Sequence, residues 1–125
     1  VILAIDPGSA KSGLAVLEEN GAVRHRAVVA SADLPGALAP LLTVYRPTAV
    51  VIGRGHYGRR IAQELTGLNL IYVNEKDSTW LARRRYWREN PPAGWRKLLP
   101  TSLRVPPVPV DDWSAVIIGE RYLAS

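Results

Sequence analysis

The sequence predicts an α/β domain whose sheet is partly antiparallel and partly parallel. Three observations carry this. Asn20-Gly21 lies between two apolar runs, a strong hairpin signal. Residues 49–52 are continuously apolar and follow a helical pattern, as a parallel strand reached by a helical crossover does. Residues 68–73 form a further apolar run, and two more helical patterns follow it.

The chain opens with Val1-Ile2-Leu3-Ala4-Ile5, a short apolar, largely β-branched run bounded by the turn Pro7-Gly8-Ser9. It reads as a buried strand, and its last position is Asp6. A charge at the end of a buried strand is expensive unless something pairs with it, so a cation is expected nearby. Residues 12–18 read as the second strand, Glu19-Asn20-Gly21 as a tight reversal and residues 22–30 as the third, giving an antiparallel meander. Gly13 is read as leaving room where the returning strand starts.

Asp33 and Pro35 suit the start of a helix, with Asp33 as cap. Leu34, Leu38, Leu41, Leu42 and Tyr45 then fall at helical spacing, Pro40 is expected to delay or kink the helix, and Pro47 ends it. Residues 49–52 form the fourth strand. Residues 53–58 read as a Gly-rich loop and residues 59–65 as a short helix. The fifth strand ends at Asn74-Glu75. Ser78 or Thr79 is expected to cap a helix to about Asn90, which Pro91-Pro92 stops. Residues 94–109 read as irregular, with a Pro-rich, extended joint over 104–109. Asp111 or Asp112 is expected to cap a last helix through Leu123. Trp113, Val116, Ile117, Ile118 and Tyr122 leave that helix little polar surface, so it should lie against the sheet.

A length of 125 residues suits one domain, 1–125, with one core. No apolar run approaches the ~20 residues of a membrane span. No secretory leader is visible at Val1, and a cytoplasmic location is the expectation. The absence of cysteine excludes disulfides, thiolate chemistry and a Cys-type zinc site. The formal net charge of +5 points to an anionic partner, nucleic acid first. Eight of the 16 Lys and Arg lie between Lys76 and Arg104, opposed there only by Asp77 and Glu89.

Three acids occupy comparable places: Asp6 ends the first strand, Glu75 follows the fifth, and Asp111 begins the last helix. If strands one and five run parallel, their carboxyl ends share an edge, where open α/β sheets bind ligands. Carboxylates gathered there raise one another's pKa unless a cation is bound, and oxygen donors suit Mg²⁺ or Mn²⁺. Such ions can activate water and stabilise the leaving oxygen of a phosphodiester. Each acid also has a plainer role open to it: Asp6 in an Asp-Pro-Gly turn, Glu75 as a solvated strand end, Asp111 as a cap. Asp77 and Asp112 stand second to them.

The same residues carry a resemblance. Ile5-Asp6-Pro7-Gly8-Ser9-Ala10-Lys11-Ser12-Gly13-Leu14-Ala15 resembles the first strand of ribonuclease H-like nucleases, and most nearly the YqgF/RuvX branch, described as Holliday-junction resolvase or pre-16S rRNA-processing nuclease. Three further pieces are similar in order and spacing: Leu41-Leu42 through Arg46-Pro47 to Val50-Val51-Ile52-Gly53; Asn74-Glu75-Lys76-Asp77-Ser78-Thr79; and Asp111 through Ser114-Ala115-Val116-Ile117-Ile118. The resemblance implies a five-stranded mixed sheet, three strands antiparallel and two parallel, flanked by helices. It implies an acidic triad at Asp6, Glu75 and Asp111 as both catalytic and metal-holding residues, with Mg²⁺ or Mn²⁺ as cofactor. Junction resolvases are often dimers, because two symmetric cuts need two sites, and a homodimer is open here. The chain departs from the family pattern at Lys11, at Asn74-Glu75-Lys76, over 53–60 and over the Trp-, Arg- and Pro-rich segment 80–109. These departures bear on substrate preference.

Trp80, Arg83, Arg84 and Trp87 fall on one helical stripe, flanked by Arg85 and Arg88 and followed by Trp95, Arg96 and Lys97. Guanidinium groups bind phosphates and indoles stack on unpaired bases, so Arg83, Arg84, Arg88, Arg96 and Lys97 are read as nucleic-acid-binding. The other reading is aromatic core and a solvated basic face. Lys11, Arg54, Arg59 and Arg60 join the basic set near the acidic edge, and the amides of 53–58 could approach a phosphate. His56 is either an exposed loop residue or a proton shuttle, and His25 a surface residue.

The leading function is thus a metal-dependent endonuclease of branched DNA or structured RNA. A catalytically inactive nucleic-acid-binding module is the alternative. A nucleotide-binding domain with an Asp-x-Gly phosphate loop is a third reading; proteins of that type pair two such domains around the nucleotide, and one copy in these 125 residues disfavours it.

Overall fold

In the computed structural model the described residues are 1–65, 67–90, 106 and 109–125, with the backbone alone of His56. The first apolar run forms β1 (Ile2–Asp6), and its alternation decides which side chain goes where. Leu3 and Ile5 enter one core layer, while Ile2 and Ala4 enter the other, all of them buried. β1 is therefore apolar on both faces until Asp6.

β2 (Lys11–Leu17) returns antiparallel to β1, with Asp6 opposite Gly13. β3 (Val23–Ala30) pairs antiparallel with β2. The reversal between them is the expected one: Gly21 takes a φ of 91°, and Asn20 Oδ1 accepts the Ala22 amide at 2.9 Å. A short 3₁₀ turn (Ser31–Asp33) leads into α1 (Leu34–Tyr45). Pro35 sits in the first turn and Pro40 lies inside α1 without ending it. β4 (Ala49–Arg54) then runs parallel to β1, as the crossover predicts. α2 (His56–Glu64) and β5 (Leu70–Asn74) follow, β5 parallel to β4. The sheet order is β3-β2-β1-β4-β5, so the carboxyl ends of β1, β4 and β5 share one edge. α3 (Ser78–Glu89) and α4 (Asp111–Ala124) complete the described chain.

Two core layers cover the two faces of the sheet. Leu34, Leu38, Ile61 and Leu65 from α1 and α2 pack with Leu3, Ile5, Leu14 and Ile52. On the other face α4 lays Trp113, Val116 and Ile118 over Ile2, Ala4, Ala15 and Leu17, joined by Ala82 of α3. Small residues let α4 lie close. A Cβ added at Gly119 would stand 2.8 Å from Leu17 Cδ1 and 3.3 Å from Ala4 Cβ. Full burial of each Leu, Ile or Val contributes roughly 1.5–3 kcal/mol.

Several local expectations need correction. Residues 53–58 are not a loop: β4 extends through Arg54 and α2 begins at His56. Their glycines serve close internal packing, since a Cβ at Gly58 would lie 2.3 Å from the Gly53 carbonyl oxygen. Neither Ser78 nor Thr79 caps α3; Asp77 does, in the left-handed region at φ 61° and without a side-chain cap bond. Asp33 occupies the cap of α1 but makes no side-chain cap bond. Val110 occupies the cap position of α4, and both Asp111 and Asp112 lie in the first turn. The Pro-rich joint, apart from Pro106 and Pro109, lies outside the described residues.

Candidate active site

The turn after β1 is set by two buried serines. The Ser31 hydroxyl donates to the Gly8 carbonyl at 2.7 Å. Ser12 and Ser31 hydroxyls are 2.7 Å apart, and the Gly8 amide donates to Ser12 Oγ at 3.3 Å. With its proton committed to Gly8, Ser31 must accept from Ser12, so each hydroxyl has one donor and one acceptor role. This clasp holds the Pro7-Gly8 turn against the sheet and leaves Asp6 at the edge.

Glu75 reaches the same edge from β5 across β4. A Cβ at Gly53 would lie 2.4 Å from Glu75 Oε2, and one at Gly55 would lie 2.3 Å from Oε1. Only glycine at both positions leaves that space for the carboxylate. The turn carrying Glu75 is tied down on both sides. The Lys76 amide donates to Asn74 Oδ1 at 2.9 Å, and Ser78 N–H donates to the Glu75 carbonyl at 3.0 Å. From α4, Arg121 donates to the carbonyls of Asn74, at 2.8 Å, and of Lys76.

Asp111 arrives on the first turn of α4. A Cβ at Gly13 would stand 1.8 Å from the Asp111 carbonyl oxygen, so the missing side chain on β2 lets the start of α4 settle there. The neighbouring Asp112 is committed elsewhere, to Arg26 at 2.6 Å. Asp77 is exposed at the head of α3.

Asp6, Glu75 and Asp111 line one open cleft of about 550 Å³ with Lys11, Ser78 and Thr79. Their electrostatics are coupled. Burial, then Glu75 and Asp111, push the Asp6 carboxyl up to about 7, against a hydroxyl bond from Ser114 that lowers it. Burial also raises Glu75. Asp111 is raised by burial and by Asp112, while its own backbone amide and Lys11 pull it down. Negative charge is thus concentrated at the edge beyond what nearby side chains neutralise. The oxygen-only donor set fits a hard divalent cation in chemistry. Among the described residues, however, no three acidic or imidazole side chains form a ready-made chelating group.

The basic residues separate into groups. Lys11 is in the acid cleft. Arg60 lines an adjoining hollow of about 190 Å³ that shares Gly8, Ser9 and Tyr57 with it. Arg54 and Arg59 lie to the side, in a cleft of about 600 Å³ between α2 and Tyr72 of β5. Arg83, Arg84 and Arg88 are exposed on α3. Arg96, Lys97 and Trp95 lie outside the described residues, as does the His56 side chain. The aromatic stripe of α3 splits: Trp80 is 50% exposed, whereas Trp87 is 7% exposed and part of the α3–α4 seam. Arg85 is not a free cation, because it pairs with Glu120 at 3.0 Å and Glu89 at 3.4 Å.

Sequence reasoning missed Ser114, Tyr57 and Arg121. Ser114 stands one helical turn after Asp111, a spacing that could have marked it. Arg121 acts on backbone carbonyls and leaves no sequence pattern.

No protein-family model and no curated protein matches the chain. Solved structures do. Thermus thermophilus RuvC in complex with a Holliday junction substrate aligns at 17% identity and a TM-score of 0.59, covering 94% of this chain and 88% of that one. A second Thermus thermophilus RuvC structure aligns at 16% identity and a TM-score of 0.51, covering 94% and 89%. At these identities the likeness is one of fold, and the fold is ribonuclease H-like: a five-stranded mixed sheet with helices on both faces.

Proposed function

We propose that this protein is a divalent-metal-dependent endonuclease of branched DNA or structured RNA, nearest in its motifs to the YqgF/RuvX branch. The observation that carries the reading is the convergence of Asp6, Glu75 and Asp111 on one cleft, where burial and the other two acids hold Asp6 at about 7. Three carboxylates with so little compensation are costly in a purely structural role. The fold shared with RuvC, whose structure includes a Holliday junction substrate, supports nucleic acid as the partner.

In this reading Asp6, Glu75 and Asp111 hold Mg²⁺ or Mn²⁺. When bound, such an ion activates water and stabilises the leaving oxygen of a phosphodiester. The Ser114 hydroxyl orients Asp6, Gly53 and Gly55 leave room for the Glu75 carboxylate, and Arg121 fixes the turn from which Glu75 projects. Lys11 within the cleft and Arg60 beside it face the backbone of the bound strand. Arg83, Arg84 and Arg88 extend the basic surface along α3.

The test is cleavage of a labelled four-way junction and of a precursor rRNA with Mg²⁺ or Mn²⁺. Metal-dependent cutting by the parent, abolished in Asp6→Asn, is the expected result. Undiminished cutting by Asp6→Asn would remove the site. One observation favours a second reading, an inactive binding module: the acids do not form a ready-made chelating group. Tight, salt-sensitive binding with no metal-dependent cutting would select that reading.

A further inference from the structure

We infer that the Trp80 indole, with the Arg84 guanidinium beside it, is a stacking platform for one unpaired nucleobase on the exposed face of α3, the helix whose first residues line the acid cleft. The inference deepens the proposed function, on which it rests for the position of the base relative to the cut.

Three described tryptophans have different surroundings. Trp87 and Trp113 are each 7% exposed. Trp113 is enclosed by cations, with the Arg26 guanidinium 4.0 Å and that of Arg85 5.4 Å from its ring centroid. Both cations are committed to carboxylates, Arg26 to Asp112 and Arg85 to Glu120. Trp80 differs: it is 50% exposed and lies beside Arg84, whose guanidinium carbon is 4.9 Å from its ring centroid. Arg84 stands four residues on, so the two side chains share a face of α3. Neither Arg84 nor its neighbour Arg83 forms an ion pair among the described residues.

Position gives this surface its meaning. Ser78 and Thr79, immediately before Trp80, line the cleft with Asp6, Glu75 and Asp111. α3 therefore starts at the acid cleft and carries the indole and its arginine onward from it, Arg84 also lining a cleft against Ile117 and Glu120 of α4. An indole offers a flat apolar face to any base, and an arginine beside it supplies charge for the phosphate. The exposed Arg83, Arg84 and Arg88 give α3 the complementary sign for a polyanion. Bases inside a continuous duplex have their faces covered by their neighbours. The platform thus selects a strand with an unpaired nucleotide, as in a single strand, bulge or open junction.

The experiment is fluorescence anisotropy of the full chain in EDTA, which separates binding from cutting. The probes are a labelled twelve-residue oligothymidylate and a fully paired duplex of the same length. Trp80→Ala is expected to weaken oligothymidylate binding about tenfold, within the range for loss of one stacked base. Trp80→Tyr should recover most of it, and duplex affinity should change less than about twofold. Thermal unfolding of Trp80→Ala should stay cooperative with a modest drop in midpoint, since only half of the side chain is covered, and Trp80→Tyr, which keeps a ring there, separates stacking from stability. An unchanged oligothymidylate affinity, as for a surface that serves a protein partner, overturns the platform, as does an equal loss on the duplex. A Trp80-dependent preference in a protein that never cuts would uphold the platform and overturn the nuclease reading.

Discussion

Burial and two neighbouring carboxylates hold Asp6 protonated to about pH 7, against a reference value of 3.8. Between those values the native state binds more protons than the unfolded chain, so this carboxyl makes stability fall as pH rises. Below the lower value the penalty is absent; above the upper one it is complete. At roughly 1.4 kcal/mol per unit, ionised Asp6 costs the fold roughly 4 kcal/mol at pH 8. Asp6→Asn should therefore be more stable than the parent by about 2–4 kcal/mol at pH 8 in EDTA, and close to it near pH 4. Urea unfolding at the two pH values checks this, and a difference independent of pH would contradict it. The glycines give a second comparison. A Cβ at Gly53 meets two side-chain ends, the Glu75 carboxylate, which can swing aside, and Ile118 Cδ1 at 3.0 Å, which need give only a few tenths of an ångström, whereas one at Gly13 meets the Asp111 backbone, which cannot. Gly53→Ala should cost about 1 kcal/mol or less yet lose metal-dependent cutting, while Gly13→Ala should cost about 1–3 kcal/mol as well. Unfolding and cleavage measured on both variants check the contrast.

At the scale of elements, α4 has two tasks that its sequence announces unequally. Its first turn delivers Asp111, and an aspartate opening an apolar helical run is easy to read. Its last turns deliver Arg121 to the carbonyls on either side of Glu75. Loss of those bonds leaves exposed carbonyls that water can satisfy, so Arg121→Met should cost only about 1 kcal/mol of stability. Its larger effect should fall on the cation: a residue that orients a ligand from behind changes metal affinity by about 10–100-fold. Calorimetric titration with Mn²⁺ is the measurement, and an affinity equal to the parent's would assign Arg121 to scaffold alone. The same scale explains what the sequence could not settle. The meander and the crossover were legible because apolar runs and turn residues report local geometry. The fate of the α3 stripe was not. Trp80 and Trp87 are seven residues apart, nearly two turns, and share a face by periodicity alone. Packing against α4 separates them, since Trp87 meets the seam with Ile117 and Glu120 while Trp80 stays exposed. The Gly-rich segment misled for a related reason. Its glycines answer to Glu75 and to α2, neither of which is local to a loop.

For the whole molecule, the sum of charges matters less than which cations are already engaged. Arg24, Arg26 and Arg85 are in ion pairs, and Arg121 is clamped to backbone. Lys11, Arg60, Arg83, Arg84 and Arg88 form no ion pair among the described residues; Lys11 lines the acid cleft, Arg60 the hollow beside it, and the other three are exposed on α3. Binding of a single strand releases about 0.7 of a counterion for each phosphate neutralised. If those five cations each meet a phosphate, log affinity should fall with log salt at a slope of about −3 to −4. Arg84→Gln should make the slope shallower by about 0.7. Arg24→Gln provides the control, because its partner Glu18 lies 2.7 Å away on the exposed β2–β3 side and such a surface pair contributes at most about 1 kcal/mol. Anisotropy with oligothymidylate across a KCl series measures both. Equal reductions by the two variants would mean that the net positive charge of the molecule, and not the cations of the cleft and of α3, attracts the strand.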